Sequence, residues 1–339
     1  MVAELAIALP DPALESSVAG GLAQVEQRLD QAVAGGDPWI EAAAAHLLRA
    51  GGKRLRPLLT LLASHLGSGV NAAVVDAAAV VELTHLASLY HDDVMDNSPL
   101  RRGRPAAHEV YGPTVAILTG DLLFARASQM VAALGTEIVR IQAETFERLC
   151  LGQIHETRGP VADQDPVEFH LGVLADKTGA LIATSARFGA MLGGAEAAAV
   201  EAVSGYAEAV GVAFQLADDI IDLTSPVEVT GKTPGTDLRA GVPTMPGLLV
   251  AAAARRDQAA GRTDSPNVAL AAAIAGDLAD DAALSDVVAR LRANPALDRA
   301  RAIARSWAKR AMDQLAPVPA GPVKSALAEV ADLFVRRLA

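Results

Sequence analysis

Apolar residues recur along the chain at the three- and four-residue spacing of helices, in runs that glycine and proline interrupt. The run from Asn71 to about Met95 carries apolar positions over several turns, and Asp165 followed by Pro166 is typical of an N-cap and first helical residue. The sequence shows neither the alternation of β-strands nor the glycine-rich fingerprint of a dinucleotide-binding site. The pattern predicts an all-α fold of roughly ten to twelve helices.

Composition agrees with this fold class. Of the 339 residues, 51% are hydrophobic but only 3% are aromatic, and alanine supplies much of the apolar excess. Alanine favours helices, whereas sheets are enriched in β-branched and aromatic residues. Because no low-complexity linker divides the chain, we expect a single domain over residues 1–339.

The charge balance is acidic, with 29 lysines and arginines against 40 aspartates and glutamates and a formal charge of −11. This balance argues against nucleic acid as a partner. The single cysteine, Cys150, excludes an internal disulfide framework and fits a reducing compartment. The N-terminus has no basic residue ahead of its short apolar run, and no stretch reaches the ~18 uncharged apolar residues of a membrane span. We therefore expect a cytoplasmic protein with no membrane span.

Two acidic motifs of the form DDxxD each close an apolar run. The first and last aspartates of each motif share one helix face, about 5–6 Å apart at Cβ, and stand at a helix C-terminus where the dipole disfavours anions. A cation should compensate, and oxygen-only ligands suit Mg²⁺, which keeps waters and bridges to substrate phosphates. A solvated helix end is the alternative for one motif, but the second copy weakens it. The six candidate ligands are Asp92, Asp93, Asp96, Asp218, Asp219 and Asp222.

Basic residues form two further clusters. In the segment GGKRLRP, Lys53 and Arg56 are expected to share one face at a helix start, where exposed N–H groups also favour an anion. Arg101 and Arg102 follow the first acidic motif and are suited to holding two anions on opposite sides. The alternatives are a solvated basic turn for the first cluster and pairing with the neighbouring aspartates for the second. Two more candidate lysines stand beside glycine and threonine, Lys177 and Lys232.

Taken in order, five motif groups resemble the series found in trans-isoprenyl diphosphate synthases, over roughly residues 47–249. They are GGKRLRP, then HDDVMD with RRG, then GDLLFARA, then DKTGAL, and finally FQLADDIID with GKTPGTD. The resemblance implies a homodimer with the isoprenoid synthase fold, in which a bundle of helices surrounds a deep central cavity and the two acidic motifs face each other across its mouth. It also implies one polyprenyl synthetase domain over 1–339, with an N-terminal helical segment (1–36), a catalytic core (37–255) and C-terminal helices (256–339).

The same resemblance implies a reaction. An allylic diphosphate ionises, isopentenyl diphosphate attacks the carbocation head to tail, and loss of a proton gives a trans-polyprenyl diphosphate, with three Mg²⁺ ions present when substrate is bound. A terpene cyclase is a weaker alternative because cyclases usually carry an Asn/Ser/Glu-type second metal motif and an aromatic-lined pocket, which this sequence lacks. A non-catalytic synthase subunit typically lacks the second acidic motif, which this sequence has.

Motif positions in the family assign roles to individual residues. The metal ligands are Asp92, Asp96 and Asp218, with Asp93, Asp219 and Asp222 as close or water-mediated partners. The allylic diphosphate is held by Arg101, Lys177 and Lys232. Isopentenyl diphosphate is held by Lys53, Arg56, His85 and Arg102, with Thr178 and Gln215 in support. His85, seven residues before Asp92, would otherwise be interpreted as a core histidine. The family often has a lysine in the segment that is GVPTMP here, so no phosphate contact is assigned there.

Residues before the first acidic motif bear on product length. Short-chain members of the family place bulky aromatics at the fourth and fifth positions before the first aspartate, whereas this sequence has Ser88 and Ala87, with Thr84 below them. One helical turn of about 5.4 Å is close to the length of an isoprene unit. The sequence therefore predicts a product beyond fifteen carbons, of medium or long chain, with geranylgeranyl or farnesyl diphosphate as alternatives.

Overall fold

The structure, a computed structural model, describes residues 9, 11–225 and 233–336 and has the predicted all-α fold. The described residues form more than the predicted ten to twelve helices, because several helices span only four to seven residues. The helices before the second half of the chain are α1 (Pro12–Val33), α2 (Pro38–Ala44), α3 (His46–Arg49), α4 (Leu55–Ser64), α5 (Ala72–Met95), α6 (Ala107–Tyr111), α7 (Pro113–Ala132) and α8 (Thr136–Arg158). They are followed by α9 (Pro166–Leu174), a π-helical segment (Ala175–Gly179), α10 (Ala180–Leu192), α11 (Ala197–Thr224) and α12 (Thr236–Arg239). The last helices are α13 (Met245–Ala259), α14 (Pro266–Ile274), α15 (Asp281–Arg292), α16 (Pro295–Gln314) and α17 (Pro322–Arg336).

Helix starts follow the capping residues that the sequence indicates. The Asn71 side chain accepts a hydrogen bond of 3.0 Å from the backbone N–H of Val74, and α5 then runs to Met95. The Asp165 carboxylate accepts one of 2.8 Å from the N–H of Val167, at the start of α9. Both side chains satisfy backbone donors that the first helical turn leaves unpaired. The predicted positions of these two helices are confirmed.

A short hairpin follows α5, which the sequence pattern did not indicate. Strand β1 (Leu100–Arg101) pairs antiparallel with β2 (Arg104–Pro105). The two residues between them have positive φ, 53° at Arg102 and 74° at Gly103, as in the type I′ turns that suit two-residue hairpins. Strands of two residues are too short to show alternation, so only the turn residues carried a signal.

The chain divides into two compact units, of which the first contains the described residues of Met1–Arg148, Ala180–Ala207 and Gln314–Val330. Within it, α5 packs against α1, α4, α7 and α10. Helices α4 and α10 approach so closely that a Cβ on Gly189 would lie 2.0 Å from the carbonyl oxygen of Thr60. Only glycine fits at that position. Helix α5, which carries the first acidic motif, is thus held from several sides within this unit.

The second unit contains the described residues of Leu149–Gly179, Glu208–Asp313 and Ala331–Ala339. Its apolar core includes buried residues of α11, α13, α15 and α16, among them Ile220 and Leu249. The second acidic motif therefore ends a helix whose apolar side is buried. The interpretation of the chain as a single domain over 1–339, with its three segments, stays a prediction.

Three of the described helices, α5, α7 and α11, are long and apolar enough to cross a membrane by length and composition alone. In the most apolar window, 67% of the residues are buried in α5 and 56% in α11, but only 33% in α7. Packing within the described part of the protein therefore buries most residues of the apolar window of α5 but only a third of those of α7. The absence of a membrane span and the cytoplasmic location stay predictions.

Candidate active site

The first acidic motif ends α5, and its middle aspartate differs from the other two. Asp93 is fully buried, and its Oδ1 accepts a 2.6 Å hydrogen bond from Nε of Arg101 in the hairpin. Asp92 lies in the last turn of α5 and Asp96 is the C-cap, so these two share one helix face. Asp93 thus joins the helix to the hairpin, while Asp92 and Asp96 are half-buried and exposed, respectively.

The hairpin gives its two arginines different partners. Arg101 pairs with Asp93, whereas Nη1 of Arg102 donates a 3.2 Å hydrogen bond to the carbonyl of Leu47. The Arg102 guanidinium lies so close to Gly52 that an added Cβ there would be 2.7 Å from it, and Gly52 itself has a φ of +144°. Glycine at position 52 therefore lets Arg102 reach the basic segment. For Arg101, the structure thus shows the pairing with a neighbouring aspartate that was the alternative interpretation. That the two arginines serve different anions stays a prediction.

The basic segment corrects one sequence-based expectation. Helix α4 begins only at Leu55, after Arg54 in a left-handed conformation with φ of 50°, so Lys53 precedes the helix. The prediction that Lys53 and Arg56 share one helical face is wrong. The positive φ of Gly51 and Gly52 takes the chain out of helical geometry before Lys53. Lys53 is exposed and Arg56 half-buried.

Arg54 is engaged by acidic residues that the sequence analysis missed. Its Nε donates to Glu26 at 2.6 Å and its Nη1 to Glu82 at 3.1 Å. Burial alone would lower the pKa of Arg54, but the hydrogen bonds and charges of these two carboxylates outweigh burial and raise it. Glu82 stands between Val81 and Leu83 inside an apolar run. A lone acid in such a run is a sequence signal from which a buried ion pair could have been predicted.

Arg56, Arg102 and His85 form a cationic and partly desolvated cluster. Burial, together with the charge of Arg102, lowers the pKa of Arg56 to about 10, although Glu82 opposes the shift. Burial is also the main reason that the pKa of His85 lies well below its usual value, and the charges of Arg56 and Arg102 lower it further. The buried Nε of Arg56 has no hydrogen-bond partner among the described residues. A neutral histidine beside two desolvated guanidinium groups suits a bound anion.

The second acidic motif ends α11 and repeats the arrangement of the first. Asp219, its middle aspartate, is buried, and its Oδ2 accepts a 2.9 Å hydrogen bond from the backbone N–H of Met245 and lies 3.3 Å from Nε2 of His170. Asp222 accepts a 3.3 Å bond from the N–H of Asp237. In both motifs the protein itself holds the middle carboxylate.

The segment Gly241–Pro246, where this sequence departs from the family pattern, has a structural role. Its Met245 begins α13 and supplies the N–H that binds Asp219. His170 lies on α9, in a part of the chain 49 residues away from Asp219. Neither partner was identified from the sequence. Any residue can supply a backbone N–H, so Met245 carries no signal, and His170 stands in an ordinary helical run.

The remaining candidates in the second unit stand near these elements in sequence. Lys177 and Thr178 lie in the π-helical segment, a local form that is frequent at functional sites. The Lys177 ammonium pairs with the carboxylate of Glu156. Gln215 is half-buried on α11, one turn before Asp219. Lys232 lies outside the described residues.

The donor chemistry fits a divalent cation that substrate helps to bind. Within residues 9, 11–225 and 233–336, no group of three or more His, Cys, Asp or Glu side chains is arranged to hold a metal ion. Mg²⁺ typically takes one or two carboxylates and completes its shell with water and phosphate oxygens. Two carboxylates four residues apart, as in Asp92 and Asp96, match that need.

Comparison with known proteins decides the family. A model of the polyprenyl synthetase family matches residues 37–268. The chain belongs to this family. It is 43% identical over 331 residues to a nonaprenyl diphosphate synthase of Mycobacterium tuberculosis, covering 97% of this chain and 96% of that protein. It is also 34% identical to a dimethylallyltranstransferase of the same organism, over 96% of this chain and 97% of that protein.

Solved structures agree with the assignment to the polyprenyl synthetases. The structure of a geranylgeranyl pyrophosphate synthase from Corynebacterium glutamicum, complexed with calcium and isoprenyl diphosphate, has a TM-score of 0.86 and 38% identity, covering 98% of this chain and 99% of that one. The predicted family, all-α fold and class of prenyltransferase are confirmed. Calcium in that structure supports dependence on a divalent metal. The roles of individual site residues stay predictions.

The three residues predicted to govern chain length in this polyprenyl synthetase differ in burial. Ala87 and Thr84 are fully buried, whereas Ser88 is half-buried and its hydroxyl donates to the carbonyl of His85 at 2.9 Å. The Thr84 hydroxyl accepts a 2.8 Å hydrogen bond from Nε2 of Gln142 on α8. Ser88 is therefore partly accessible, whereas Thr84, one turn earlier on α5, is fully buried and hydrogen-bonded.

Proposed function

We propose that this protein catalyses the Mg²⁺-dependent head-to-tail condensation of isopentenyl diphosphate with an allylic diphosphate. The observation that carries the proposal is the repeated geometry of the acidic motifs. In each, a buried middle aspartate is bound by protein groups. The first and last aspartates stand four residues apart on one helix face, which suits the one or two carboxylates that Mg²⁺ takes. The desolvated cluster of Arg56, Arg102 and neutral His85 supports a second, metal-independent diphosphate site.

The roles of the residues follow from their charge. Lys53, Arg56 and Arg102, with neutral His85, bind the diphosphate of isopentenyl diphosphate and orient its double bond. When bound through Asp92, Asp96 and Asp218, with the adjacent aspartates in support, three magnesium ions supply positive charge that stabilises the departing diphosphate. The remaining contacts to that group come from three cations, Arg101, Lys177 and Lys232. The released diphosphate then accepts the proton that the condensed chain loses.

Arg101 and Lys177 have counter-ions in the protein. Asp93 pairs with Arg101, and Glu156 pairs with Lys177. These carboxylates hold the two side chains in place, which reduces the conformational entropy lost when a diphosphate binds. Thr178, in the π-helical segment, and Gln215, on α11, support the isopentenyl diphosphate site. Catalysis in this scheme is electrostatic, by groups arranged before the substrate ionises.

The proposed product is a medium- or long-chain trans-polyprenyl diphosphate. The M. tuberculosis relative with 43% identity is a nonaprenyl diphosphate synthase, and neither Ser88 nor Ala87 is aromatic. Geranylgeranyl diphosphate is the second candidate, because the Corynebacterium protein of 38% identity makes a geranylgeranyl product by its name.

The product profile tests this proposal. The purified protein, incubated with Mg²⁺, radiolabelled isopentenyl diphosphate and each allylic primer in turn, is expected to form products longer than twenty carbons, resolved by chromatography after dephosphorylation. Chelation of divalent ions with EDTA should abolish incorporation. Incorporation that stops at farnesyl or geranylgeranyl diphosphate would contradict the proposed length. Failure to condense any primer would contradict the proposed reaction.

We also propose that a second copy of the chain covers an exposed apolar surface in the first unit. Large apolar side chains stay exposed on α7, at Ile117 and Leu118, and on α8, at Val139 and Phe146. The Phe146 ring lies 4.4 Å, centroid to centroid, from that of Phe124 on α7, so the two helices are joined at this surface. Large contiguous apolar patches mark interaction sites. A self-complementary helical face is the usual basis of a two-fold dimer, and the family resemblance also implies a homodimer.

Leu118→Glu tests this interface. Leu118 is 60% exposed, so the substitution should leave the fold of the unit intact while placing a charge in the dimer contact. We expect sedimentation equilibrium to give a dimer for the unaltered protein and mostly monomer for the variant. The control is Val110→Glu on α6, which is 50% exposed and should remain dimeric. A dimeric Leu118→Glu protein would place the interface elsewhere.

A further inference from the structure

All five N–H donors of the Arg54 guanidinium are used inside the protein. Besides Nε to Glu26 and Nη1 to Glu82, its Nη2 donates to Glu26 and to the carbonyl of Leu48, and Nη1 also donates to the carbonyl of Gly51, each at 3.3 Å. An arginine side chain has five donors and no acceptor. Arg54 therefore has no donor left for a substrate, unlike its neighbour Arg56.

Glu82 is the most deeply buried partner of Arg54. Its side chain is 2% exposed, against 30% for Glu26. It lies on α5 three residues before His85, on the same helix face. Its charge also raises the pKa of Arg56 and of Arg102, opposing the effect of burial on both groups. One buried carboxylate thus stabilises the charged form of three arginines.

The backbone ties this ion pair to the basic segment. Arg54 is the residue before α4, and its left-handed conformation is disfavoured for any residue with a Cβ. The contacts of its side chain with Glu82, Gly51 and Leu48 offset that cost. Where Arg54 is fixed, the start of α4 and hence the position of Arg56 are fixed with it.

We propose that Glu82 is a positioning residue, which acts through Arg54 to hold the basic segment so that Arg56 and Arg102 can bind one diphosphate. This inference rests on the proposed function, since the diphosphate is taken to be that of isopentenyl diphosphate. Glu82 itself does not touch substrate. Its negative charge keeps mutually repelling guanidinium groups together before the anion arrives, and Arg54 remains its partner afterwards.

Glu82→Gln keeps the shape and an acceptor but removes the charge. Because a hydrogen bond to a charged partner contributes about 1.5–3 kcal/mol, equivalent to about ten- to hundredfold in binding, KM for isopentenyl diphosphate should rise at least about tenfold. We expect kcat and KM for the allylic primer to change less than about threefold. Arg54→Lys should give the same pattern, and the double variant should be little worse than either single variant because both act through one contact.

The matched control is Asp76→Asn. Asp76 also lies on α5 and pairs with an arginine of α1, Arg28, at 2.5 Å, but that pair does not involve the basic segment. Asp76→Asn should leave KM for isopentenyl diphosphate unchanged. Equal increases in both KM values, or a fall in kcat alone, or no change in Glu82→Gln would overturn the positioning role.

Binding of inorganic pyrophosphate in the presence of EDTA separates this inference from the proposed reaction. Calorimetry should give weaker binding for Glu82→Gln than for the unaltered protein and for Asp76→Asn, even if no primer is condensed. Equal affinities in all three proteins would contradict the inference while leaving the reaction unaffected. Circular dichroism identifies a variant that fails to fold, and in that case Arg54→Lys carries the test.

Discussion

Replacing Asp92 or Asp218 by asparagine is expected to lower kcat by about 10³-fold or more, with little loss of thermal stability. Asparagine keeps the size of the side chain but removes the charge that a divalent cation needs, and the loss of one such electrostatic contact typically costs 10²–10³-fold or more in rate. Steady-state incorporation of labelled isopentenyl diphosphate measures kcat, and thermal unfolding measures stability.

Controls separate the metal role from a general effect of lost charge. Asp30→Asn, on the exposed side of α1, should keep full activity. Asp93→Asn should lower the melting temperature, because Arg101 loses the charge of a fully buried partner. The double variant of Asp92 and Asp218 should be little slower than either single variant, since groups that serve one step are strongly non-additive. Turnover within tenfold of normal in either single variant would contradict the assigned metal ligands.

The positions of the helices and of the motifs could be predicted from the sequence because local signals determine them. Asn71 and Asp165 cap helices through contacts two or three residues away, and the acidic motifs end helices whose apolar periodicity is visible in the sequence. Asp93 and Asp92 lie on different faces of α5, and this too follows from local geometry, since consecutive side chains on a helix point about 100° apart.

Contacts between segments that are distant in the sequence could not be predicted from local signals. Lys53 was predicted to be helical because local propensity allows it, but Arg54 is bound by Glu26 and Glu82, each 28 residues away, and the helix starts later. His170 and Met245 became known as partners of Asp219 only from the fold. These contacts position the predicted residues. A sequence motif identifies the residues of the site but not the distant residues that contact them.

Ser88→Phe is expected to shorten the final product by one or more isoprene units while the first condensations continue at a similar rate. Ser88 is half-buried and four residues before Asp92, so an aromatic ring there would occupy about one turn of the surface that a growing chain follows. Chromatography of dephosphorylated products gives the length. Ser88→Ala removes the hydrogen bond to His85 without adding bulk and should leave the length unchanged.

Position 88 gives a cleaner test than position 87. Ala87 is fully buried, so a phenylalanine there would overpack α5 and cost about 1–3 kcal/mol of stability, which would confuse a change in length with a change in folding. One turn earlier on α5 stands Thr84, which is fully buried and accepts the hydrogen bond from Gln142. An active Ser88→Phe protein with unaltered product length would show that the chain grows along a different face, and that neither Ser88 nor Thr84 limits it.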